Sequence, residues 1–341
     1  MNLEFHYYAV YILALEAGFS ENSAFIMAAS SQELDASTSE LGFDTGQKIL
    51  GIVVSQNYSF WNDAVKNDIY LPFHFIPGNA EEARNARKDG KNCRFLVTPN
   101  SESVKSLLID ALKDKDPYLI GVAAHSFADS YAHQNFSGLE EEANSLGGFS
   151  GSTEESPGKS LFMDLAASGL PPVGHLQALS APDEPALVWT DPRLKEEKIV
   201  NNERFAIAAK KLFRYFRIYL GKSFGDEELI TDKLNFIWEK PSKEERLSDY
   251  IIGWNLRPYE PQLWRREAGA PFNASKLAGL GNYDKLAWAK KELFHSGKNG
   301  NGSIIKTDAS FYSSNLYHWN EAAAEHRRRA KLLIERHHAH E

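Results

Sequence analysis

His125, Asp129 and His133 stand at four-residue intervals in Gly-Val-Ala-Ala-His-Ser-Phe-Ala-Asp-Ser-Tyr-Ala-His-Gln-Asn-Phe, residues 121–136. On a helix each is turned only ~40° from the last, so all three side chains point into one site. Imidazole and carboxylate together suit zinc, iron or manganese. The intervening Ala124, Ser126, Ala128, Ser130 and Ala132 are small enough for other helices to approach and add ligands. At ~1.5 Å rise per residue the two histidines are ~12 Å apart along the axis, too far for one ion. The spacing therefore predicts two ions with Asp129 as the carboxylate between them. Paired metals ~3.5–4 Å apart suit hydrolysis of phosphoesters or amides. A helix whose His and Asp residues merely pair with neighbours would have to bury three such groups on a small, apolar face, which is costly.

The chain has 341 residues, with 43% hydrophobic and 25% charged residues, the composition of a globular fold. A net charge of −8 argues against a basic nucleic-acid surface, so no stable nucleic-acid complex is expected. Cys93 is the only cysteine; it excludes an intrachain disulfide and a cysteine-cluster zinc site, leaving His, Asp and Glu as metal ligands. No run approaches the ~20 apolar residues that span a bilayer. The first residues carry acids at Glu4 and Glu16 and no basic start, so they read as the first helix of the fold and a cytoplasmic location is expected.

Elements that would position such a site follow from periodicity and caps. Helices are expected over 3–18 and 21–34, with Ser20 as N-cap, and over 101–114 and 117–135, the last opened by Asp116-Pro117. Residues 46–66 read as helical, with a strand as the alternative over Ile-Val-Val. Residues 68–78 read as extended, because Pro72 and Pro77 oppose a helix. The stretch 137–200 is rich in Gly, Ser and Pro and reads as a long functional insertion. Helices resume at 203–220, 227–239, 243–255, 281–294 and 316–338, and the terminal His-His-Ala-His-Glu reads as a frayed tail. The fold class is mainly α. It is a single domain of three parts: a metal-site core over 1–136, the insertion over 137–200 and C-terminal helices over 201–341.

Further ligand-type residues fall at His6 in the first helix, Asp35 at the end of the second, His74 in the proline-bounded segment, and His175 and Asp183 in the insertion. Their order resembles the zinc-dependent phospholipase C superfamily, which includes zinc nucleases acting on single strands. More closely, the chain looks like an uncharacterised bacterial family related to it. Glu-Phe-His-Tyr-Tyr-Ala-Val-Tyr at 4–11, Pro-Phe-His-Phe-Ile-Pro-Gly at 72–78 and His-Ser-Phe-Ala-Asp-Ser-Tyr-Ala-His-Gln-Asn at 125–135 carry the match, over roughly the first 190 residues. The resemblance implies that Asp35, His74, His125 and Asp129 share one zinc, that His6 and Asp129 serve a second, and that His133, His175 and Asp183 hold a third. Three features depart from it: His133 follows Asp129 by four residues rather than six, Asp183 follows His175 by eight rather than four, and no signal peptide is present to be processed to the N-terminal ligand of the secreted enzymes. The zinc count is therefore two or three.

On the C-terminal helix, His318 and Glu321 have metal-ligand spacing and Glu325–Arg329 has ion-pair spacing. The helix reads as a solvated basic element, with His326 or an arginine lining the substrate pocket and binding phosphate as the alternative. Gly147–Ser152 lacks the lysine of a nucleotide loop, and no Gly-x-Ser-x-Gly elbow occurs. The expected activity is zinc-dependent hydrolysis of a phosphoester, on a small phosphodiester or phospholipid headgroup, with Asp35 as ligand and general base and the metals lowering the pKa of a bound water towards ~7. The alternatives are a di-metal oxidoreductase, which would favour Glu-x-x-His pairs, and a metal-binding protein without turnover.

Overall fold

The computed structural model describes residues 1–147, 150–152, 170–223, 225–270 and 303–339. The chain opens with a π-helical segment, Glu4–Ala9, that continues into α1 (Val10–Ala17) and stops at Gly18, whose φ of +106° only glycine adopts without strain. Ser20 caps α2 (Glu21–Ala36) by accepting from the Ser23 N–H. A hairpin follows, β1 (Leu41–Asp44) against β2 (Ile49–Gly51), paired Phe43 to Leu50. The helix expected over 46–66 is thus absent from most of its length. Asp44 Oδ1 accepts from Gly46 N–H in the turn, and the Ile-Val-Val run at 52–54 follows β2 as irregular chain, with Ile52 N–H donating to the Leu41 carbonyl at 2.8 Å and Val53 N–H to Asn320 Oδ1 at 2.7 Å.

Only Asp63–Val65, α3, is α-helical in that stretch, and it runs directly into a second π-helical segment, Lys66–His74. This overturns the extended reading of 68–78. Proline opposes an α-helix by clashing with the preceding turn and withholding one N–H; the wider π turn accepts Pro72, and the carbonyls around it are bonded from outside the turn. Then come α4 (Ala80–Ala86), α5 (Glu102–Asp114, capped by Ser101) and α6 (Pro117–Ala132, capped by Asp116). The insertion contains short 3-10 turns and an antiparallel sheet, β3 (Ser150–Ser152), β4 (Val188–Thr190) and β5 (Lys198–Val200). The C-terminal part holds α7 (Asn201–Tyr219), α8 (Glu227–Trp238), α9 (Lys243–Ser248) with a third π turn at Asp249–Gly253, α10 (Leu263–Glu267), β6 (Ser303–Lys306) beside β1, and α11 (Asn315–Ala339). The helix expected at 281–294 lies outside the described residues.

The fold is mainly α, a single helical domain, and among the described residues no helix is long and apolar enough to cross a membrane. The main core joins Ile12, Met27, Leu108, Phe127, Leu212, Phe213, Leu234 and Trp319 from seven helices. At its centre α2 crosses α6 so closely that a Cβ on Gly121 would lie 2.2 Å from the Met27 carbonyl oxygen. A larger residue there would push apart the two helices that carry Asp35 and His125. A second apolar cluster, Phe75, Val97, Phe136, Trp189 and Ile199 among others, seats the insertion against the end of α6. The C-terminus is not a frayed tail up to Ala339: α11 persists, and His337 Nε2 lies 2.8 Å from the Arg94 carbonyl.

Candidate metal centre

Each helix or turn delivers one or two polar groups into the core. His6 comes from the first π segment and His74 ends the second. Asp35 lies in the last turn of α2, and His125 and Asp129 lie on α6. These five form an inner group. Asp129 is 1% exposed and its two oxygens divide the labour. Oδ1 faces His6 Nε2 at 3.2 Å. Oδ2 faces His74 Nδ1 at 3.0 Å and His125 Nε2 at 3.1 Å. Asp35 stands slightly apart, 3.8 Å from His125 Nε2 and 3.9 Å from His6 Nε2, with 26% of its side chain exposed. His6 and His125 stack with ring centroids 3.8 Å apart.

The outer group lies at the end of α6. His133 is the residue that closes that helix, and its Nδ1 still lies 3.7 Å from Asp129 Oδ2. Its Nε2 is 3.1 Å from Asp183 Oδ1, and His175 Nε2 is 3.5 Å from Asp183 Oδ2. Phe75 stacks on the His133 ring at 4.7 Å. Between the groups lies the α-amino group of Met1, against Asp129 Oδ1 and 3.3 Å from Asp183 Oδ1. The eight residues singled out in the sequence therefore come together in two adjoining sets, His6 with His125 and Asp129 and Asp35 with His74 and His125 on one side, His133 with His175 and Asp183 on the other. Within each set of three the ligand atoms lie within 4.8 Å of one another.

The imidazole tautomers follow from the second ring nitrogen. His125 Nδ1 is 2.9 Å from the Ser31 carbonyl, His74 Nε2 2.8 Å from Ser55, His133 Nδ1 2.9 Å from His74, and His175 Nδ1 2.8 Å from Leu179. A carbonyl only accepts, so each of these nitrogens carries a proton and donates it. In the neutral form of each ring the opposite nitrogen is a lone pair, and it is aimed at the carboxylates. His74 Nδ1 and His125 Nε2 lie 3.1 Å apart and both face Asp129 Oδ2. Three electron-rich atoms converge there, an arrangement that requires a cation or a shared proton. His6 points the same way: both of its ring nitrogens are buried without a directed hydrogen bond, although Nε2 is within ion-pair distance of Asp129. Neutral imidazoles anchored through the far nitrogen, with carboxylates alongside, are the donor set of zinc and similar metals. The residues fit the group.

Charges in the site respond accordingly. Burial alone would raise the Asp129 carboxyl, but the Met1 amine and the imidazoles of His133, His125 and His6 hold it well below the usual carboxylate range. Burial disfavours a charged His74, yet the hydrogen bond and charge of Asp129 outweigh it and raise the imidazole. Burial and the neighbouring His125 push His6 down to about 4. Asp35 sits where the carbonyl end of α2 already concentrates negative charge, a position favourable to cations rather than acids.

Several supporting groups gave no signal in the sequence. Glu4, fully buried two residues before His6, accepts two hydrogen bonds of 2.8 Å from Arg246 and one of 3.3 Å from Tyr250 of the third π turn. Arg265 donates to Glu33 and Ser37 at the end of α2, at 2.8 Å each. Ser55 ties the same corner, donating to the Leu34 carbonyl while its own carbonyl receives His74. On α11, His318 packs against Tyr118 and Glu325 pairs with Arg329 at 2.7 Å. His326 is buried at 1% exposure, with Nε2 3.2 Å from the Pro72 carbonyl.

The chain belongs to a family of unknown function, DUF6765, whose pattern matches residues 1–333. No curated protein and no solved structure matches it.

Proposed function

We propose that this member of the DUF6765 family is a zinc-dependent hydrolase of phosphoesters, related to the zinc-dependent phospholipase C and single-strand nuclease superfamily. The observation that carries the metal reading is the convergence of His74 Nδ1, His125 Nε2 and Asp129 Oδ2, with each ring proton committed to a main-chain carbonyl. His6, Asp35, His74, His125 and Asp129 would hold the inner metal, as one or two ions, and His133, His175 and Asp183 an outer one. When bound, zinc supplies Lewis-acid activation of water and neutralises phosphate oxygens. The chain's own residues do the rest. His6, His125 and Asp129 are buried to 1% or less, so they hold and orient. Asp35, at 26% exposure, and Asp183, at 14%, are the acids that substrate and water can reach. The nearest atoms of the group to Asp35 are His125 Nε2 at 3.8 Å and His6 Nε2 at 3.9 Å; an oxygen of Asp35 not taken up by metal would accept the proton of an attacking water. Small phosphodiesters and phospholipid headgroups are the substrate class.

Elemental analysis after zinc-supplemented expression should show two or three ions per chain, with turnover of bis(p-nitrophenyl) phosphate that a chelator abolishes. Less than one tightly bound transition metal per chain sinks the metal reading. Full occupancy without turnover of any phosphomonoester or phosphodiester sinks the hydrolase and leaves a metal-binding protein.

A further inference from the structure

The second π segment ends at His74, and a helix end leaves its last carbonyls without partners in the same helix. Here three consecutive carbonyls are each bonded from elsewhere. Pro72 O faces His326 Nε2 at 3.2 Å, Phe73 O accepts from Ser126 Oγ at 2.7 Å, and His74 O accepts from His133 Nδ1 at 2.9 Å. His326 Nε2 is also 3.0 Å from Ser126 Oγ. The hydroxyl proton of Ser126 goes to Phe73 O, so its oxygen accepts, and His326 must be the donor to both it and Pro72 O. The His326 ring also lies parallel to Phe73, with centroids 5.8 Å apart. Ser126 and His133 belong to the segment that bears the candidate ligands. His326 alone comes from α11, some 200 residues further along the chain from Ser126.

We propose that His326 is a positioning residue for the metal centre, a main-chain clamp that sets the turn delivering His74 Nδ1 towards Asp129 and His125. The inference rests on the metal reading above. Without the clamp the Pro72 carbonyl is left buried and unsatisfied, the π turn has a reason to relax, and His74 loses its aim. The Ser55 carbonyl fixes the rotation of the ring, but only the backbone of 72–74 fixes where the ring begins.

The test uses the full chain stripped of metal and titrated with zinc against a chromophoric chelator, and in parallel with cobalt(II), whose visible spectrum reports ligand geometry. His326→Phe keeps the ring stack and removes the donor; it should weaken the tighter zinc class by about 10–100-fold, the size found for groups that orient ligands, and shift the cobalt bands. His326→Gln offers an N–H close to the lost Nε2 and should restore most of both. Ser126→Ala should shift the cobalt bands in the same direction. A lower melting temperature of the stripped variants, with zinc affinity and cobalt spectra like the wild type, overturns the proposal and leaves His326 a packing residue. If His326→Phe does not fold, unaltered cobalt spectra in both His326→Gln and Ser126→Ala do not rescue it: Gln restores the donor, so the Ser126→Ala spectrum decides, and a wild-type spectrum there overturns the clamp. A wild-type chain that takes up neither zinc nor cobalt is a different failure, that of the metal reading itself.

Discussion

The inner and outer groups use the same chemistry on different supports. Inner ligands sit on α2, α6 and two π segments that pack around one core, and His6, His125 and Asp129 are almost fully buried. Outer ligands come from a helix end and from short 3-10 turns at Leu176–Ala178 and Ala181–Asp183, with His175 and Asp183 retaining 13% and 14% exposure. The inner support is stiffened by buried ion pairs, Glu4–Arg246 and Glu33–Arg265, both at 2.8 Å. The outer one relies on turn hydrogen bonds such as His175 Nδ1 to Leu179 O. Rigid elements preorganise ligands; loops make them adjustable and reachable. On the metal reading proposed above, the buried inner side chains would set affinity, and access would come through Asp35 and the outer turns.

The largest expected effect is that of Asp129→Asn. It removes the one carboxylate that faces His6, His74 and His125 at once, and should lower metal affinity by more than the ~10–100-fold that an outer partner is worth, emptying the inner group in elemental analysis. An unchanged metal content would erase the distinction between the groups. Arg246→Met comes next. It strands Glu4 in a fully buried position, which costs about 3–5 kcal/mol, measured by denaturant unfolding of stripped protein; a loss below ~1 kcal/mol would mean that the inner support does not depend on that pair. His175→Ala should act least, removing one ion and leaving inner affinity within about twofold of the wild type. In the same experiment, a chelator should speed proteolysis around 170–200 in the wild type and add nothing in the variant. Equal acceleration in both would detach His175 from the metal.

Local features of this site were legible because they are periodic. Ser20 and Asp116 cap the helices they precede, and His125 and Asp129 of the ladder lie on the helix expected for them. At the ladder's lower end His133 closes α6, with Nδ1 3.7 Å from Asp129 Oδ2 and Nε2 3.1 Å from Asp183 Oδ1, the partner that the resemblance implied and that no local spacing names. The helix expected over 46–66 and the extended segment expected over 68–78 failed together. Both depend on what the segment meets: β2 on β1, and the π turn on carbonyl partners from α6 and α11. His326 stands among basic residues in the sequence, yet it is buried at 1% exposure against Pro72 and Ser126.

The sequence by itself determined which residue types are available and where capped helices such as α2 and α6 begin, since capping and periodicity act within a few residues. It also set the order of His6, Asp35, His74 and the α6 ladder along the chain. Only the tertiary structure decided which nitrogen of each imidazole is free, which oxygen of Asp129 faces which ring, and that Glu4 meets Arg246 across 242 positions. Those outcomes depend on carbonyls and charges brought close by packing. No local pattern encodes them, because the partner's identity is irrelevant to the helix that presents it and enters the energy only once water has been excluded between them.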